Sequence, residues 1–574
     1  MRSSLLQTQT SWSSPKSIRF QHLFWFILLS VIWLGTLGWR DLIPSDEGRY
    51  AEIAREMLVS GNWLVPRYNG YLYFEKPPLQ LWATAAAFKI FGLGEWQARL
   101  WSGLCSLFGI ALVWYTTSRL WGERAGILAG MILASTPIWV IGGHFNSLDM
   151  GVAFFMSGAL CCLLLGLHAP SKSRTELIWL LLCWSMMALS VLSKGLIGIV
   201  VPGLVLVMYS LFTWDWSSWR RMHWLSGLFL FFAITLPWFV LIIEQHPSFY
   251  QFFFIHEHFE RFTTNEHQRT ASWYFFLPLL AVGFLPWLLN VAQAVQLAFQ
   301  EQRHHALTFK PLCLCLVWIV TITAFFSISQ SKLPGYIFPV IPPLAILVGV
   351  SIQHLFDKKL SPQLRSVNVW LWQILVLAGL FCIGFFFLPN IRNTGEVYEK
   401  LHYAHYTRIV SVALSIGLLG CVLAWYLRRK PLASLLTYAS TIIIVALTAG
   451  LGHEAVGGLL SGKALAQQTK ALIHEADPLY GVGMLDHTVP FYLEHPLIMV
   501  QFQDELAFGI SQEPQRWIAH EGDWVNLWKE SPHTRAFAMM TPKKYSELFE
   551  QGLPMEIIAQ DPIRIVIGKP GLNH

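Results

Sequence analysis

The sequence predicts an all-α polytopic membrane protein that carries a small soluble α/β domain at its C-terminal end. Of the 574 residues, 54% are hydrophobic and only 13% are charged, and the mean hydropathy is +0.47. A soluble globular protein of this length does not need so much apolar surface, whereas a bundle of membrane-spanning helices does. Basic residues recur between the apolar stretches, and residues 451–574 return to an ordinary soluble composition.

Long apolar stretches occur along most of the chain. Crossing a bilayer takes roughly 20 residues, and stretches of that length predict about thirteen spans. The predicted spans lie near 21–39, 95–117, 125–143, 149–167, 176–192, 195–213, 224–243, 273–297, 311–329, 334–353, 368–388, 408–427 and 432–450. The stretch 79–93 is shorter, and we expect it to form a re-entrant or surface helix.

The positions of Lys and Arg predict the orientation of the spans, because cytoplasmic loops are the basic ones. Every second loop is basic, through Arg119 and Arg124, Lys172 and Arg174, Arg220 and Arg221, Arg303 and Lys310, Lys358, Lys359 and Arg365, and Arg428, Arg429 and Lys430. With a cytoplasmic N-terminus, this alternation places the first outer loop, 40–94, outside. The His-containing loop 244–272 and the segment 451–574 fall on the same side.

We therefore expect a transmembrane domain over 1–450 and a soluble outer domain over 451–574. In the outer domain, helix-like stretches near 462–476 and 541–551 alternate with apolar β-rich runs, as in a small α/β domain. The β-rich runs are 479–484, 497–502, 535–540 and 561–568. This part of the sequence has no Gly-rich phosphate loop, metal-ligand cluster or nucleophile elbow. We expect it to support or gate a membrane site.

The composition excludes two classes of site. The net charge is only +6 and no basic stripe on a soluble surface is visible, which argues against nucleic-acid binding. All eight cysteines fall inside predicted spans, so they indicate apolar packing residues and not a disulfide framework or a thiolate zinc site.

The first outer loop begins with a charged sequence directly after the first span. Ser45 is a suitable N-cap for an amphipathic helix whose apolar side chains recur at helical spacing from Tyr50 to Leu58. We expect this helix to lie on the membrane surface, with its charged side chains on the opposite, polar face. Asp46 and Glu47 fall in its first turn, where they either complement the helix dipole or take part in chemistry.

Cations in outer loops need a reason, because such loops are usually poor in Lys and Arg. One reason is a phosphate ester arriving from the bilayer, and the alternative is an ordinary snorkelling side chain. Lys194 lies between two closely spaced spans with little room to snorkel, which favours function. The outer cations are Arg49, Lys76, Lys194, Arg261, Arg269 and Lys332.

Two further outer residues are candidates for a site. Asp149 begins the fourth predicted span, where it either starts the helix or faces a cavity. His256 lies in the loop 244–272 among other histidines and carboxylates. Such a loop either binds a metal ion or is simply solvated, and it contains no H-E-x-x-H motif.

These residues resemble a known family. The stretches 44–52 and 73–78 are similar to the first outer loop of bacterial lipid A aminoarabinose transferases, which are GT-C glycosyltransferases related to the protein O-mannosyltransferases. The stretches 146–149, 193–195 and 331–336 match in the same order. The resemblance covers essentially the whole chain. It implies an inverting, GT-C type glycosyltransferase that uses no nucleotide sugar.

The resemblance also implies roles for individual residues. Asp46 matches the essential acidic residue of the first loop. Glu75 and Lys76 match a functional pair, and Asp149 matches a further cavity carboxylate. Tyr336 matches a residue in a loop that reorganises when the lipid carrier binds. The residues that match the lining of the donor and phosphate cavity are Arg49, Tyr50, Tyr73 and Lys194.

The resemblance further implies the partners. The donor is 4-amino-4-deoxy-L-arabinose on undecaprenyl phosphate, and the acceptor is lipid A or a related lipid at the periplasmic face of the bacterial inner membrane. The chemistry requires no cofactor. Glu75 and His256 match positions that bind a structural zinc ion in a relative. We expect a monomer that contacts membrane lipids and no nucleic acid.

Alternatives stay open at this stage. Asp46 would act as a base towards a hydroxyl acceptor, but an acceptor phosphate is already ionised and needs only to be positioned. A transferase that moves a mannose-like hexose from polyprenyl phosphate to a protein or another glycolipid would fit the same motifs. A lipid or sugar transporter should show paired internal repeats, and the sequence shows none.

The predicted orientation leads to a direct test. A reporter fused after residue 450 should be active in the periplasm, because the basic loops fix the last span as outward-going. A reporter fused after residue 430, in a basic loop, is the cytoplasmic control. Cytoplasmic activity of the first fusion would show that one span has been miscounted.

Overall fold

The computed structural model describes residues 20–260, 271–303, 309–356, 369–392, 397–530 and 535–571. The chain forms two compact units. The first unit comprises Met1–Thr36, Ser102–Ile391 and Thr407–Gly450, and the second comprises Leu37–Trp101, Arg392–Tyr406 and Leu451–His574. The first outer loop and the C-terminal segment are far apart in the sequence, but they belong to the same unit.

Most of the chain is helical and apolar. The described residues contain nine helices that are long and apolar enough to cross a membrane. These helices are Glu95–Trp121, Leu148–His168, Arg174–Lys194, Trp224–Gln245, Pro311–Ile328, Pro334–Leu355, Val369–Ile391, Glu399–Arg429 and Pro431–Gly450. All eight cysteines lie within them, as expected. The predicted class, a helical multi-pass membrane protein, is confirmed.

Two further apolar segments are bent where the sequence predicts straight spans. They are Glu123–Ala134 with Pro137–Gly143, bent by 67°, and Phe276–Gly283 with Leu285–Gln302, bent by 73°. Pro137 and Pro286 lie at the two breaks. Proline has no amide hydrogen to donate, and its ring disfavours a helical conformation in the residue before it, so the helix axis changes direction there.

Every predicted span falls on one of these helices, on a bent pair or on a shorter apolar helix. Counting each bent pair once gives up to eleven candidate spans among the described residues. Leu23–Gly35 and Ile197–Thr213 are apolar but shorter. The stretch 79–93 forms the helix Leu79–Phe91. The exact number of spans stays a prediction.

The helix Leu148–His168 is the centre of the first unit. It is the most fully buried of the apolar helices, and it packs against the helix Arg174–Lys194 and the 3-10 helix Pro334–Val340. These three elements carry site residues at their ends, so their packing positions those residues. The other short elements of this unit are Phe20–Gly35, Ser217–Arg220, Ser248–Tyr250, the π-helix Gln251–Glu260, and the 3-10 turns Leu285–Trp287 and Leu427–Arg429.

The second unit contains all seven described strands. They are β1 (Arg67–Tyr68), β2 (Tyr71–Leu72), β3 (Leu479–Val482), β4 (Ile498–Val500), β5 (Phe537–Met540), β6 (Glu556–Gln560) and β7 (Ile565–Gly568). β1 and β2 form a small antiparallel hairpin, and the others form a five-stranded sheet in the order β4-β3-β5-β7-β6. β3 is parallel to β4 and β5, whereas β7 is antiparallel to β5 and β6.

The predicted α/β domain is confirmed, with additions. β3, β4, β5 and β7 coincide with the β-rich runs, whereas β6 is an edge strand that buries little and carries a weak sequence signal. The helix Glu521–Glu530 was not predicted, yet its Trp524 and Trp528 are almost fully buried against the sheet. The helices of this unit are Asp46–Ser60, Leu79–Phe91, Lys463–Lys470, Val489–Leu493, Ala507–Gln512, Glu521–Glu530 and Pro542–Glu550, with 3-10 turns at Asp504–Leu506 and Pro514–Arg516.

A buried ion cluster holds the base of the first outer loop. Glu47 is fully buried and accepts hydrogen bonds from Arg99 at 2.7 Å and from Arg40 at 2.6 Å. Arg99 also donates to the main-chain carbonyls of Leu37 and Asp41. Burial raises the pKa of Glu47, but the two guanidinium groups outweigh it and lower the pKa to about 2. Glu47 therefore has a structural role, which answers the alternative that the sequence left open.

Candidate functional site

The predicted site residues occur in both units. In the second unit they are Asp46, Arg49, Tyr50, Tyr73, Glu75 and Lys76. In the first unit they are Asp149, Lys194, His256 and Tyr336.

The charged helix Asp46–Ser60, which we call the first-loop helix, is buried on its polar side as well as its apolar side. Glu52 is fully buried, and Arg49 and Arg55 are 4% and 5% exposed. Arg55 satisfies Glu52 through two hydrogen bonds of 2.7 and 2.6 Å. The predicted surface helix therefore has protein against its polar face as well. The helix packs against Leu79–Phe91 on one side and against the C-terminal helix Val489–Leu493 on another.

Asp46 is the first residue of the first-loop helix. Ser45 takes the predicted N-cap position, although its side chain makes no capping hydrogen bond and only its carbonyl accepts the amide of Arg49, at 3.1 Å. The side chain of Asp46 is 32% exposed, and its Oδ1 lies 3.4 Å from Nη2 of Arg49. Asp46 is thus a partly exposed carboxylate beside a buried cation.

Arg49 is held by a residue of the C-terminal segment. Its Nη1 lies 2.8 Å from Oε2 of Glu505, and the two side chains are only 5% and 11% exposed. Its Nε is buried and has no hydrogen-bond partner among the described residues. Burial lowers the pKa of the guanidinium, but Tyr73 and Glu505 hold it well above its usual value, so Arg49 stays charged.

A second set of side chains holds Glu505 in turn. Nδ1 of His487 lies 3.3 Å from Oε1 of Glu505. The hydroxyl of Tyr68 lies 2.9 Å from the same ring nitrogen, and the two rings stack. Glu505 follows β4 and His487 follows β3, so both lie at the carboxyl edge of the parallel strands. The sequence analysis missed both residues.

The predicted pair Glu75 and Lys76 lies next to Tyr73. The hydroxyl of Tyr73 donates to Oε2 of Glu75 at 3.4 Å. Nζ of Lys76 donates to the main-chain carbonyl of Glu75 at 2.8 Å and lies 3.7 Å from its carboxylate. Burial raises the pKa of the Tyr73 hydroxyl, which keeps it a hydrogen-bond donor. Tyr50 is also buried, with Cζ of Arg49 5.7 Å from its ring centre.

The glycine of the charged motif has a packing role. A methyl group added at Gly48 would collide with the carbonyl of His487 and the side chain of Thr488. The backbone of the first-loop helix therefore approaches the loop after β3 too closely for any side chain. This contact fixes the start of the helix, with Asp46 and Arg49, on the carboxyl edge of the sheet.

In the first unit, three predicted residues meet at one place. Lys194, the last residue of the helix Arg174–Lys194, forms an ion pair with Asp149 in the first turn of the preceding helix, Leu148–His168. Nζ of Lys194 also lies 4.2 Å from the ring centre of Tyr336, within the range of a cation–π contact. A methyl group added at Gly335 would collide with the Asp149 carboxylate. The separate sequence motifs thus form one charged cluster.

Tyr336 lies in the 3-10 helix Pro334–Val340, at the start of the predicted span 334–353, and Pro334 and Pro339 favour this tight turn. Its ring packs against Phe326, with centres 5.2 Å apart. Lys332, just before this helix, is 7% exposed and donates to the carbonyl of Ser329 at 2.5 Å.

His256 lies on the π-helix Gln251–Glu260, within the predicted His-containing loop. Its Nδ1 is 3.8 Å from the carboxylate of Glu257, and its ring stacks on Phe252. The predicted outer cations Arg261 and Arg269 lie outside the described residues. Over the described ranges, no group of three or more His, Cys, Asp or Glu side chains is placed to hold a metal ion.

Two family models match the chain. The model for the aminoarabinose transferase C-terminal domain matches residues 465–569. The model for dolichyl-phosphate-mannose-protein mannosyltransferase matches residues 75–241. One match thus covers the C-terminal segment and the other covers part of the membrane region.

Curated relatives extend the match. An undecaprenyl phosphate-alpha-4-amino-4-deoxy-L-arabinose arabinosyl transferase from Pseudomonas aeruginosa (strain UCBPP-PA14) is 32% identical over 439 residues, which are 75% of this chain and 76% of the relative. The enzyme of the same name from Erwinia tasmaniensis is 32% identical over 381 residues, or 64% of this chain and 66% of the relative.

A solved structure agrees along the whole length. The crystal structure of ArnT from Cupriavidus metallidurans bound to undecaprenyl phosphate superposes with a TM-score of 0.89 at 40% identity, covering 97% of this chain and 99% of that one. The chain belongs to the aminoarabinose transferase family. It is therefore a GT-C type glycosyltransferase that depends on a polyprenyl-phosphate sugar, as the motifs predicted.

The positions of His487 and Glu505 in the sequence of this transferase family member could have marked them as site residues. In open parallel sheets, binding residues collect where strands end. Asp486 and His487 follow the β-rich run 479–484, and Asp504 and Glu505 follow the run 497–502. Polar residues at both strand ends could have been paired with the charged first loop. Sequence spacing alone could not do this, because more than 400 residues separate Glu505 from Arg49.

The close contact at Gly48 is testable by Gly48→Ala. We expect a loss of about 1–3 kcal/mol in stability, because the added methyl group must displace the main chain at His487. Thermal unfolding in detergent measures the effect, and sugar transfer should fall with it because Asp46 and Arg49 move.

The matched control for this variant is Gly522→Ala, in the helix Glu521–Glu530. A methyl group there meets no heavy atom within 4 Å, so alanine should leave stability unchanged or raise it by up to about 1 kcal/mol. Equal unfolding temperatures for the two variants would contradict the proposed packing role of Gly48.

Proposed function

We propose that this chain transfers 4-amino-4-deoxy-L-arabinose from undecaprenyl phosphate to a phosphate group of lipid A at the periplasmic face of the bacterial inner membrane. The observation that carries the proposal is the charged first loop, in which the carboxylate of Asp46 lies beside the buried cation of Arg49. The names of the relatives support the sugar and the carrier lipid.

In the proposed reaction an acceptor oxygen attacks the anomeric carbon of the donor sugar. The new C–O bond forms as the bond between that carbon and the carrier phosphate breaks, and the electron pair leaves with the phosphate oxygen. The departing phosphate thus gains negative charge, which Arg49 and Lys76 would stabilise as it develops. Attack opposite the leaving group inverts the configuration of the sugar.

Asp46 has a positioning role in this reaction. A phosphate acceptor is already ionised near neutral pH, so no base is needed to activate it. The partly exposed carboxylate of Asp46 would instead hold the cationic 4-amino group of the sugar, or orient the acceptor. A hydroxyl acceptor would need Asp46 as a general base.

The cluster of Asp149, Lys194 and Tyr336 gives further support. Lys194 is a half-buried cation that contacts both a carboxylate and an aromatic face. A lipid-linked phosphate could draw Lys194 away from Asp149, and Tyr336 would follow because it contacts the same ammonium group.

A second candidate function is transfer of a mannose-like hexose to a protein hydroxyl. The match of residues 75–241 to a protein mannosyltransferase model favours it. The acceptor distinguishes the two functions, because only the hydroxyl acceptor requires a base.

The central residues are tested by Asp46→Asn and Lys76→Ala. Each should lower transfer by about 100-fold or more, because each removes a charge from the reacting centre. Mass spectrometry of lipid A, from a host that lacks such a transferase, measures the added aminoarabinose. Asp523→Asn and Lys89→Ala are the controls, since they make the same charge changes at exposed side chains.

Full lipid A modification by a well-folded Asp46→Asn enzyme would remove Asp46 from the site. Modified protein together with unmodified lipid A would instead favour the hexose transferase.

We also propose a structural zinc ion that involves Glu75 and His256, on the basis of the family resemblance. The described residues supply no group of three ligands, so the other positions would be filled by solvent or by further His or carboxylate side chains. No step of the reaction above passes through this ion.

Elemental analysis of the purified protein tests the zinc proposal. We expect about one zinc per chain, lost in His256→Ala together with part of the thermal stability. His223→Ala, in a predicted cytoplasmic loop, is the control and should keep the metal. Wild-type protein without zinc would contradict the proposal.

A further inference from the structure

We propose that Glu505, in the C-terminal segment, is a positioning residue for the donor phosphate, and that it acts by fixing the orientation of Arg49. This inference rests on the proposed function for the identity of the carrier lipid. It assigns the C-terminal segment a part in donor binding that its sequence did not reveal.

The geometry of the Arg49 guanidinium group supports this role. Arg49 offers donors along a rigid, planar fork, and Glu505 occupies Nη1 at 2.8 Å. Nε and Nη2 lie along the other edge of the fork. On this edge Nε has no hydrogen-bond partner among the described residues, and Nη2 has only the more distant Asp46, at 3.4 Å. This edge has the two-donor spacing that binds a phosphate bidentately.

Two carboxylates compete for the guanidinium group of Arg49. Asp46 and Glu505 both lie within ion-pair distance of the same guanidinium, at 3.4 and 2.8 Å. Without Glu505, Arg49 would turn towards Asp46, because a buried cation needs a close counter-charge. That movement would occupy the Nε–Nη2 edge and the carboxylate of Asp46 at the same time. Glu505 therefore keeps both groups available.

Glu505 has a neighbouring side chain at each of its carboxylate oxygens. Its second oxygen faces Nδ1 of His487 at 3.3 Å, and the Tyr68 hydroxyl lies on the same nitrogen at 2.9 Å. The close backbone contact at Gly48 holds the loop that carries His487. Such a chain of contacts is expected for a residue that must hold another in one orientation.

Binding of undecaprenyl phosphate without a sugar, measured by ligand titration of the full-length protein, tests the inference. Glu505→Ala should weaken binding by about tenfold, the value of one charge-assisted hydrogen bond near 1.4 kcal/mol. Glu505→Gln keeps an oxygen for Nη1 and should recover part of the affinity. In an Arg49→Ala background, Glu505→Ala should not weaken lipid binding further, because Glu505 affects lipid binding only through Arg49.

The matched control is Glu513→Gln. Glu513 forms a 2.8 Å ion pair with Arg67 in the same unit. The Glu513→Gln protein should bind undecaprenyl phosphate as tightly as the wild type does. Thermal unfolding confirms that each variant is folded. Unchanged or tighter binding by a folded Glu505→Ala protein overturns the inference, as does an undiminished effect in the Arg49→Ala background. Because the probe carries no sugar, failure to transfer aminoarabinose would count against the proposed function and leave this result standing.

Discussion

The organisation of the second unit depends on one constraint: a charge removed from water must be paired. The first-loop helix buries Glu47, Arg49, Glu52 and Arg55, and an unpaired charge at any of these positions would cost several kcal/mol. The other three find partners within or next to the loop, whereas Arg49 finds Glu505 more than 400 residues away. The charged loop is therefore complete only together with the C-terminal segment.

This constraint gives the C-terminal segment a defined place in the chemistry. Within the described residues, the segment contains no group of side chains placed to hold a metal ion. Its parallel strands end in loops that carry His487 and Glu505, and these loops meet the first-loop helix where Gly48 leaves room for them. In the proposed arrangement, the first-loop helix carries the reacting groups and the sheet edge orients Arg49.

The sequence predicted much of this architecture for identifiable reasons. Apolar length located the helices, and alternating basic loops gave an orientation. An unbroken apolar stretch does not show where a helix bends, and the two bent segments change direction at Pro137 and Pro286. The motifs around Asp149, Lys194 and Tyr336 were found separately, and their meeting depends on helix packing. The amphipathic pattern of the first-loop helix was correct, but a periodicity does not state whether a polar face meets water or another protein surface.

In the proposed donor site, Glu505 holds Arg49 so that the Nε–Nη2 edge of its guanidinium group receives the donor phosphate. An experimental structure of this chain with undecaprenyl phosphate tests it most directly. We expect the phosphate to accept hydrogen bonds from Nε and Nη2 of Arg49, with Glu505 still at hydrogen-bonding distance from Nη1. A phosphate that displaces Glu505 from Arg49, or that lies away from Arg49 altogether, would contradict it.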